Sequence, residues 1–349
     1  MRNRKSVYNR REFLKNSLTL TADTAMLNQI VVKAKPSSKT IDFTSETRIP
    51  TRILGKTGVK LPILAFGGVA FTHRWADYFG VPKKSISERI KIIRYAYEKG
   101  IRYFDTSKGY QESEGIIGEA LRDVRSKVYI ATKLMSFAYQ NVRRNLETSL
   151  KELKTEYVDC LQLHGPAVRY ISFERAMRIH EELSKLKQEG LIRFIGLTGH
   201  DSFKKMHQLI NTGGFDQLLI AYGYFCKAIE IISDEEMMWR NTCITKAHQM
   251  NMGIIAMKIM AANVLGHNSQ NIVPNYNPLY LKQLPAAAIR WALQNRNIHL
   301  LNIGVSLPTD IDNNISTLIG DLTFTEHDQK LLADFSRLAY QSDNLQKGR

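Results

Sequence analysis

Cysteine is scarce in this chain. Cys160, Cys226 and Cys243 are its three, with no CxxC pair and no metal-ligand spacing, so neither a disulfide framework nor an iron–sulfur cluster is expected and the thiols read as buried or half-buried. No apolar run reaches the roughly 18 residues of a membrane span, so no integral membrane segment is expected. Clustered histidine and carboxylate ligands are also missing, which disfavours a nuclease or metal hydrolase and leaves no metal to assign. Acidic residues fall short, 33 against 49 Lys and Arg, for a net charge of +16. Residues 1–52 alone hold eleven Lys/Arg and four Asp/Glu, or +7 of that total. The body has no basic run interleaved with aromatics, so nucleic acid is not an expected partner, and its remaining charge suits an anionic substrate or cofactor phosphates.

What the chain does have is a repeated alternation of short apolar runs and amphipathic stretches. Strand-like runs at 63–68, 101–105, 128–133, 158–164, 192–198, 218–222, 253–257 and 300–305 are followed by helical periodicity at 88–99, 114–122, 142–153, 173–189, 203–210, 234–250, 281–294 and 310–318. Such units demand a parallel sheet covered by helices, and eight of them close an α/β (β/α)8 TIM barrel. No sequence-level repeat accompanies the alternation. Residues 52–61 alternate around a glycine-bearing turn, as a small β-hairpin would. Two long segments, 69–87 and 261–280, follow the first and seventh strands and so belong to the face where barrels bind ligands.

Four polar residues stand at or just beyond successive strand ends: Asp105, Tyr110, Lys133 and His164. Singly, they could be a structural ion pair, a packed tyrosine and a turn-capping histidine. Together they can serve the reduction of a carbonyl by a nicotinamide cofactor, which supplies the hydride. Tyr110 donates the proton, Lys133 favours its phenolate and lowers its pKa, Asp105 holds Lys133, and His164 orients the carbonyl oxygen.

The run Asp105-Thr106-Ser107-Lys108-Gly109-Tyr110, with Ser113-Glu114, Gly118-Glu119-Ala120-Leu121, Ala131-Thr132-Lys133 and Leu161-Gln162-Leu163-His164 in order, closely resembles the aldo-keto reductase family between about residues 52 and 318. The resemblance implies a catalytic tetrad of those four residues, an NAD(P)H cofactor, a small carbonyl or alcohol substrate and a hairpin that plugs the barrel floor. It places cofactor contacts at Gly304, Ser306 and Asn314, where the eighth strand runs into a helix whose N-terminus favours anions. Thr198 and Lys258, at the fifth and seventh strand exits, are further cofactor candidates.

This chain departs from the family pattern in having Gly199 and His200 after Thr198, Leu219 in the sixth strand and Gly223 where an asparagine is common. Asp310, with no Lys or Arg between Gly304 and Asn314, tilts the expected preference towards NAD over NADP. The alternative is a non-catalytic or weakly catalytic cofactor-sensing subunit on the same fold.

The segment Asn9-Arg10-Arg11-Glu12-Phe13-Leu14-Lys15 resembles a twin-arginine export signal. Residues 17–22 are only mildly apolar, Asp23 interrupts them, and no A-x-A site precedes Lys33-Ala34-Lys35-Pro36. Both a periplasmic enzyme and a cytoplasmic one with a basic arm fit. Residues 1–50 are therefore set apart as an extension, possible signal and linker, and 51–349 as the barrel.

Overall fold

Eight strands, β3 (Leu64–Gly67), β4 (Tyr103–Asp105), β5 (Tyr129–Leu134), β6 (Val158–Leu163), β7 (Ile192–Gly199), β8 (Gln217–Ala221), β9 (Gly253–Met257) and β10 (Leu300–Gly304), pair in parallel, and β10 returns to β3 to close a barrel. The hairpin precedes the first of them, and helices follow the strands in the positions the alternation predicts. The computed structural model describes residues 41–347 apart from 45–46, 71, 74–75, 78–79, 136 and 226–232. The twin-arginine-like segment, Cys226 and the aromatics at 71, 75, 78 and 79 lie outside the described residues. One compact unit begins at Ile41, so the described residues between 41 and 50 fold with the barrel; Phe43 N donates to Lys60 O at 3.1 Å and Ile49 is buried in the main core.

The period of two along each strand divides the core. Leu64 and Phe66, Phe104, Ile130 and Leu161 face outward and pack beneath the helices, whereas Ala65, Tyr103, Tyr129 and Cys160 fill the barrel interior. In that interior the Tyr103 and Tyr129 rings stack with centroids 4.8 Å apart. Their hydroxyls are bridged by Gln217, which accepts from Tyr129 and donates to Tyr103, each at 2.9 Å.

Below them the antiparallel hairpin β1 (Thr51–Ile53) and β2 (Lys60–Pro62) inserts Leu54, Val59 and Leu61 into the same interior cluster. The hairpin therefore seals the N-terminal end and leaves the opposite end for chemistry.

The glycine at 118 has a packing reason. A Cβ there would lie 2.6 Å from the Leu153 carbonyl carbon, so only glycine lets helix Ser113–Leu121 press against the end of helix Val142–Glu152. Among the helices beyond the sequence expectation are Gly165–Tyr170, directly after His164, and Glu326–Gln341, which buries Leu331, Leu332, Phe335 and Ala339. Among the described residues no helix is long and apolar enough to cross a membrane.

Candidate active site

The interior parity that places Tyr103 and Tyr129 in the core places Asp105 and Lys133 one and two pleats higher, at the C-terminal end of the same strands. Cys160, Gln162 and His164 follow the same rule on β6, as do Leu300 and Asn302 on β10. Lys133 Nζ lies 2.5 Å from Asp105 Oδ2 and donates to Thr106 O at 2.8 Å. Both side chains are almost fully buried, at 2% and 3% exposure. Gln162 Nε2 donates to Asp105 Oδ1 at 2.9 Å, and Asn302 Nδ2 donates to Oδ2 at 3.3 Å. The carboxylate thus has a donor on each oxygen besides the lysine, which offsets the cost of burying the pair.

Tyr110 reaches over this pair from the turn after β4. Lys133 Nζ stands 4.7 Å from the centre of its ring, and the His164 ring meets it edge-on at 6.4 Å. Burial works against the Lys133 ammonium, but Asp105 and Tyr110 outweigh it and its pKa is raised. For Tyr110 the balance differs from the sequence expectation. Burial pushes its pKa up and the neighbouring lysine only partly counters this, so the phenol is raised above its ordinary value rather than lowered. Desolvation in the half-enclosed pocket exceeds the pull of one ammonium that already shares its charge with Asp105. His164 is pushed down to about 3 by burial, then by Lys133 and His200, so its imidazole is neutral at working pH.

These groups open onto a cavity of about 400 Å³ whose wall includes Asp105, Tyr110, His164, His200, Lys258 and Asn302. A second cavity of about 670 Å³ runs on towards helix Pro308–Ile319 and shares Met260, Asn263, Ile303 and Gly304 with the first. The two form one elongated, two-lobed cleft across the exits of β9 and β10.

Gly304 is the neck between the lobes: a Cβ there would sit 2.7 Å from Ala70 Cβ, so its side has no room for a side chain. Asn314 lines the outer lobe and Lys258 the inner one. Thr198 and Ser306 line neither lobe. Thr198 is buried one pleat below His200, and the Ser306 hydroxyl turns away to donate to Ala70 O at 3.1 Å. The backbone beyond β9 is unusual, with Lys258, Ala261, Ala262 and Asn263 at φ of +67°, +49°, +51° and +68°. Of these, Lys258, Ala262 and Asn263 line the inner lobe.

Gln162, Asn302, His200 and Asn263 are site residues that the sequence reading left without a role. A polar residue at an inward position near the end of an otherwise apolar strand marks the first two, in Val158–Leu163 and Leu300–Gly304.

A barrel of this kind, with its ionisable cluster at the C-terminal mouth and cleft there to take an extended ligand, has the architecture of a cofactor-dependent enzyme. The sequence profile of the Aldo/keto reductase family matches residues 63–335, and the chain belongs to that family. It is accordingly an NAD(P)-dependent oxidoreductase that moves a hydride between a nicotinamide cofactor and a carbonyl or alcohol. Among curated proteins it is 25% identical over 333 residues to L-galactose dehydrogenase of Arabidopsis thaliana, covering 86% of this chain and 97% of that one. It is 31% identical over 149 residues to D-arabinose 1-dehydrogenase of Saccharomyces cerevisiae, covering 39% of this chain and 42% of that one. An aldo-keto reductase from Bacillus halodurans, solved in its holo form, superposes with a TM-score of 0.63 at 18% identity over 82% of this chain and 96% of that one, and so shares the fold.

Proposed function

We propose that Tyr110 is the proton donor and acceptor of this oxidoreductase, with Lys133, Asp105 and His164 completing the catalytic set. The observation that carries the reading is the single lysine ammonium that touches Asp105 at 2.5 Å while lying beneath the Tyr110 ring. As negative charge develops on a carbonyl oxygen in the inner lobe, the Tyr110 hydroxyl delivers its proton, and the ammonium stabilises the phenolate left behind. Asp105, held by Gln162 and Asn302, keeps the ammonium in place. Neutral His164 supplies a hydrogen bond to the same carbonyl oxygen. In the oxidising direction Tyr110 receives the proton of the alcohol.

The residues present fit a dinucleotide. Asn302 lines the inner lobe with a buried Oδ1 that has no partner, and Gly304 provides a neck that a Cβ would fill. When bound, the nicotinamide supplies or accepts the hydride. Lys258, Asn263, Gly304 and Asn314 would hold it along the cleft, while Thr198 and Ser306 support the wall from behind. NAD is the favoured form, on the grounds of Asp310.

The test follows reduced-cofactor absorbance with purified protein: its loss with reduced cofactor and a panel of small carbonyls including methylglyoxal, and its gain with oxidised cofactor and sugars including L-galactose and D-arabinose. Those three appear in the names of relatives. Turnover by the native protein that vanishes in Tyr110→Phe supports the reading; cofactor binding without turnover of any compound would favour a sensing subunit.

Arg10-Arg11 supports export of the folded, cofactor-loaded chain. Residues 1–50 fused to a reporter active only after folded export should give a signal that Arg10→Lys with Arg11→Lys abolishes.

A further inference from the structure

Met135, the first residue after β5, places its sulfur 2.9 Å from His164 Nδ1. The sulfur also closes against the turn that carries Tyr110, since a Cβ on Gly109 would come within 3.0 Å of it. Unlike Met206, Met252, Met257 and Met260, which are at most 9% exposed, Met135 is 41% exposed. A partly exposed methionine therefore has its thioether in direct contact with an imidazole that lines the inner lobe.

We propose that Met135 is an oxidation site through which peroxides switch off the active site by way of His164. The inference rests on the role given to His164 above. In the step, the Sδ lone pair attacks one peroxide oxygen: the O–O bond breaks, an S–O bond forms, sulfur is oxidised by two electrons and hydrogen peroxide is reduced to water. The thioether is a weak acceptor, so the one proton of the neutral imidazole can be placed on Nε2 and directed at a carbonyl oxygen. A sulfoxide oxygen in its place is a strong acceptor. It fixes the proton on Nδ1 and leaves Nε2 with a bare lone pair facing the electron-rich atom it should stabilise. Burial, Lys133 and His200 keep the ring from taking a second proton, so there is no compensating donor. A catalytic hydrogen bond becomes a repulsion.

The test exposes the native protein to hydrogen peroxide, follows sulfoxide at each methionine by peptide mass mapping, and measures kcat and cofactor affinity together. Loss of one donor to a developing oxyanion costs on the order of 10²-fold. A fall in kcat of that order that tracks oxygen on Met135, with cofactor affinity within about twofold and recovery on treatment with methionine sulfoxide reductase, is the expected result. Met135→Leu should retain its own activity through the same exposure. Met238→Leu, which removes a 55% exposed methionine on the outer helix Asp234–Gln249, should remain as sensitive as the native chain.

Equal inactivation of Met135→Leu, or inactivation while Met135 stays unmodified, overturns the proposal. ¹⁵N spectra of the His164 ring provide a reading independent of turnover. A proton fixed on Nδ1 only after oxidation upholds the switch even if no substrate is ever turned over; an unchanged ring refutes it.

Discussion

His267 Nε2 lies 2.8 Å from Asp310 Oδ1, tying the long loop after β9 to the first turn of the helix after β10. The other oxygen of Asp310 accepts the backbone N–H groups of Ser306 and Leu307 at 2.8 and 2.9 Å. The amides that would otherwise cradle a phosphate are thus already satisfied by a carboxylate from the same helix. An added 2′-phosphate meets an anion there, so NADH should bind at least as well as NADPH. Asp310→Ser should raise NADPH affinity by roughly tenfold relative to NADH, at a stability cost of about 1 kcal/mol for the lost helix cap. Fluorescence titration decides it, and NADPH binding more than tenfold tighter to the native protein would remove Asp310 from cofactor selection.

Tyr110→Phe should lower kcat by about 10²-fold or more with little change in cofactor affinity, because a proton donor is lost and no cofactor contact is. Lys133→Met should be similarly damaging. Its effect on pH dependence has a definite sign. Without the ammonium the neutral phenol is favoured still more, so the Tyr110 pKa rises, and oxidation, which needs the phenolate, should shift its pH–rate profile to higher pH. A shift to lower pH would mean that Lys133 does not act on Tyr110.

Asp105→Asn leaves the buried Lys133 ammonium without its carboxylate. Breaking a buried pair on one side typically costs about 3–5 kcal/mol. Urea denaturation should show a loss of that order, whereas Asp105→Leu combined with Lys133→Met should lose less stability than Asp105→Asn alone. Equal stability of native protein and Asp105→Asn would show that Lys133 is solvated.

His164 has a folded pKa of about 3 against an ordinary value of 6.5, so between those limits the unfolded chain binds the extra proton. Stability from this group is therefore complete above about pH 6.5 and declines as the pH falls towards 3, at up to about 1.4 kcal/mol per pH unit. His164→Gln lacks that loss. Thermal melts should show the variant gaining on the native protein between pH 7 and pH 4.5; parallel declines would mean His164 is already protonated in the folded state.

The barrel was legible because each of its eight strands is short, apolar and followed by a helical period, as in Ile192–Gly199 before Phe203–Asn211. The four tetrad residues stood out because ionisable groups at strand ends are costly without a partner. Gln162 and Asn302 were harder to see, since an amide in a strand costs less and shows its purpose only when the sheet closes and brings β4, β6 and β10 around one carboxylate. Helix Glu326–Gln341 announced itself in Thr325 and Asp328, a capping box before an apolar face, but lies beyond the eight repeats that the alternation counts. The direction of the Tyr110 shift depended on how deeply the ring is enclosed, a property of the assembled pocket and not of the motif.

The left-handed run at Lys258, Ala261, Ala262 and Asn263 bears on how this molecule can change over generations. Each non-glycine residue in that conformation carries a strain of about 1 kcal/mol or more. A lineage selected for thermal endurance alone would drift to glycine at those positions and lose the side chains of Lys258, Ala262 and Asn263 that line the cleft. The mouth of the barrel is thus where heritable gains in robustness and in ligand recognition pull the same codons in opposite directions.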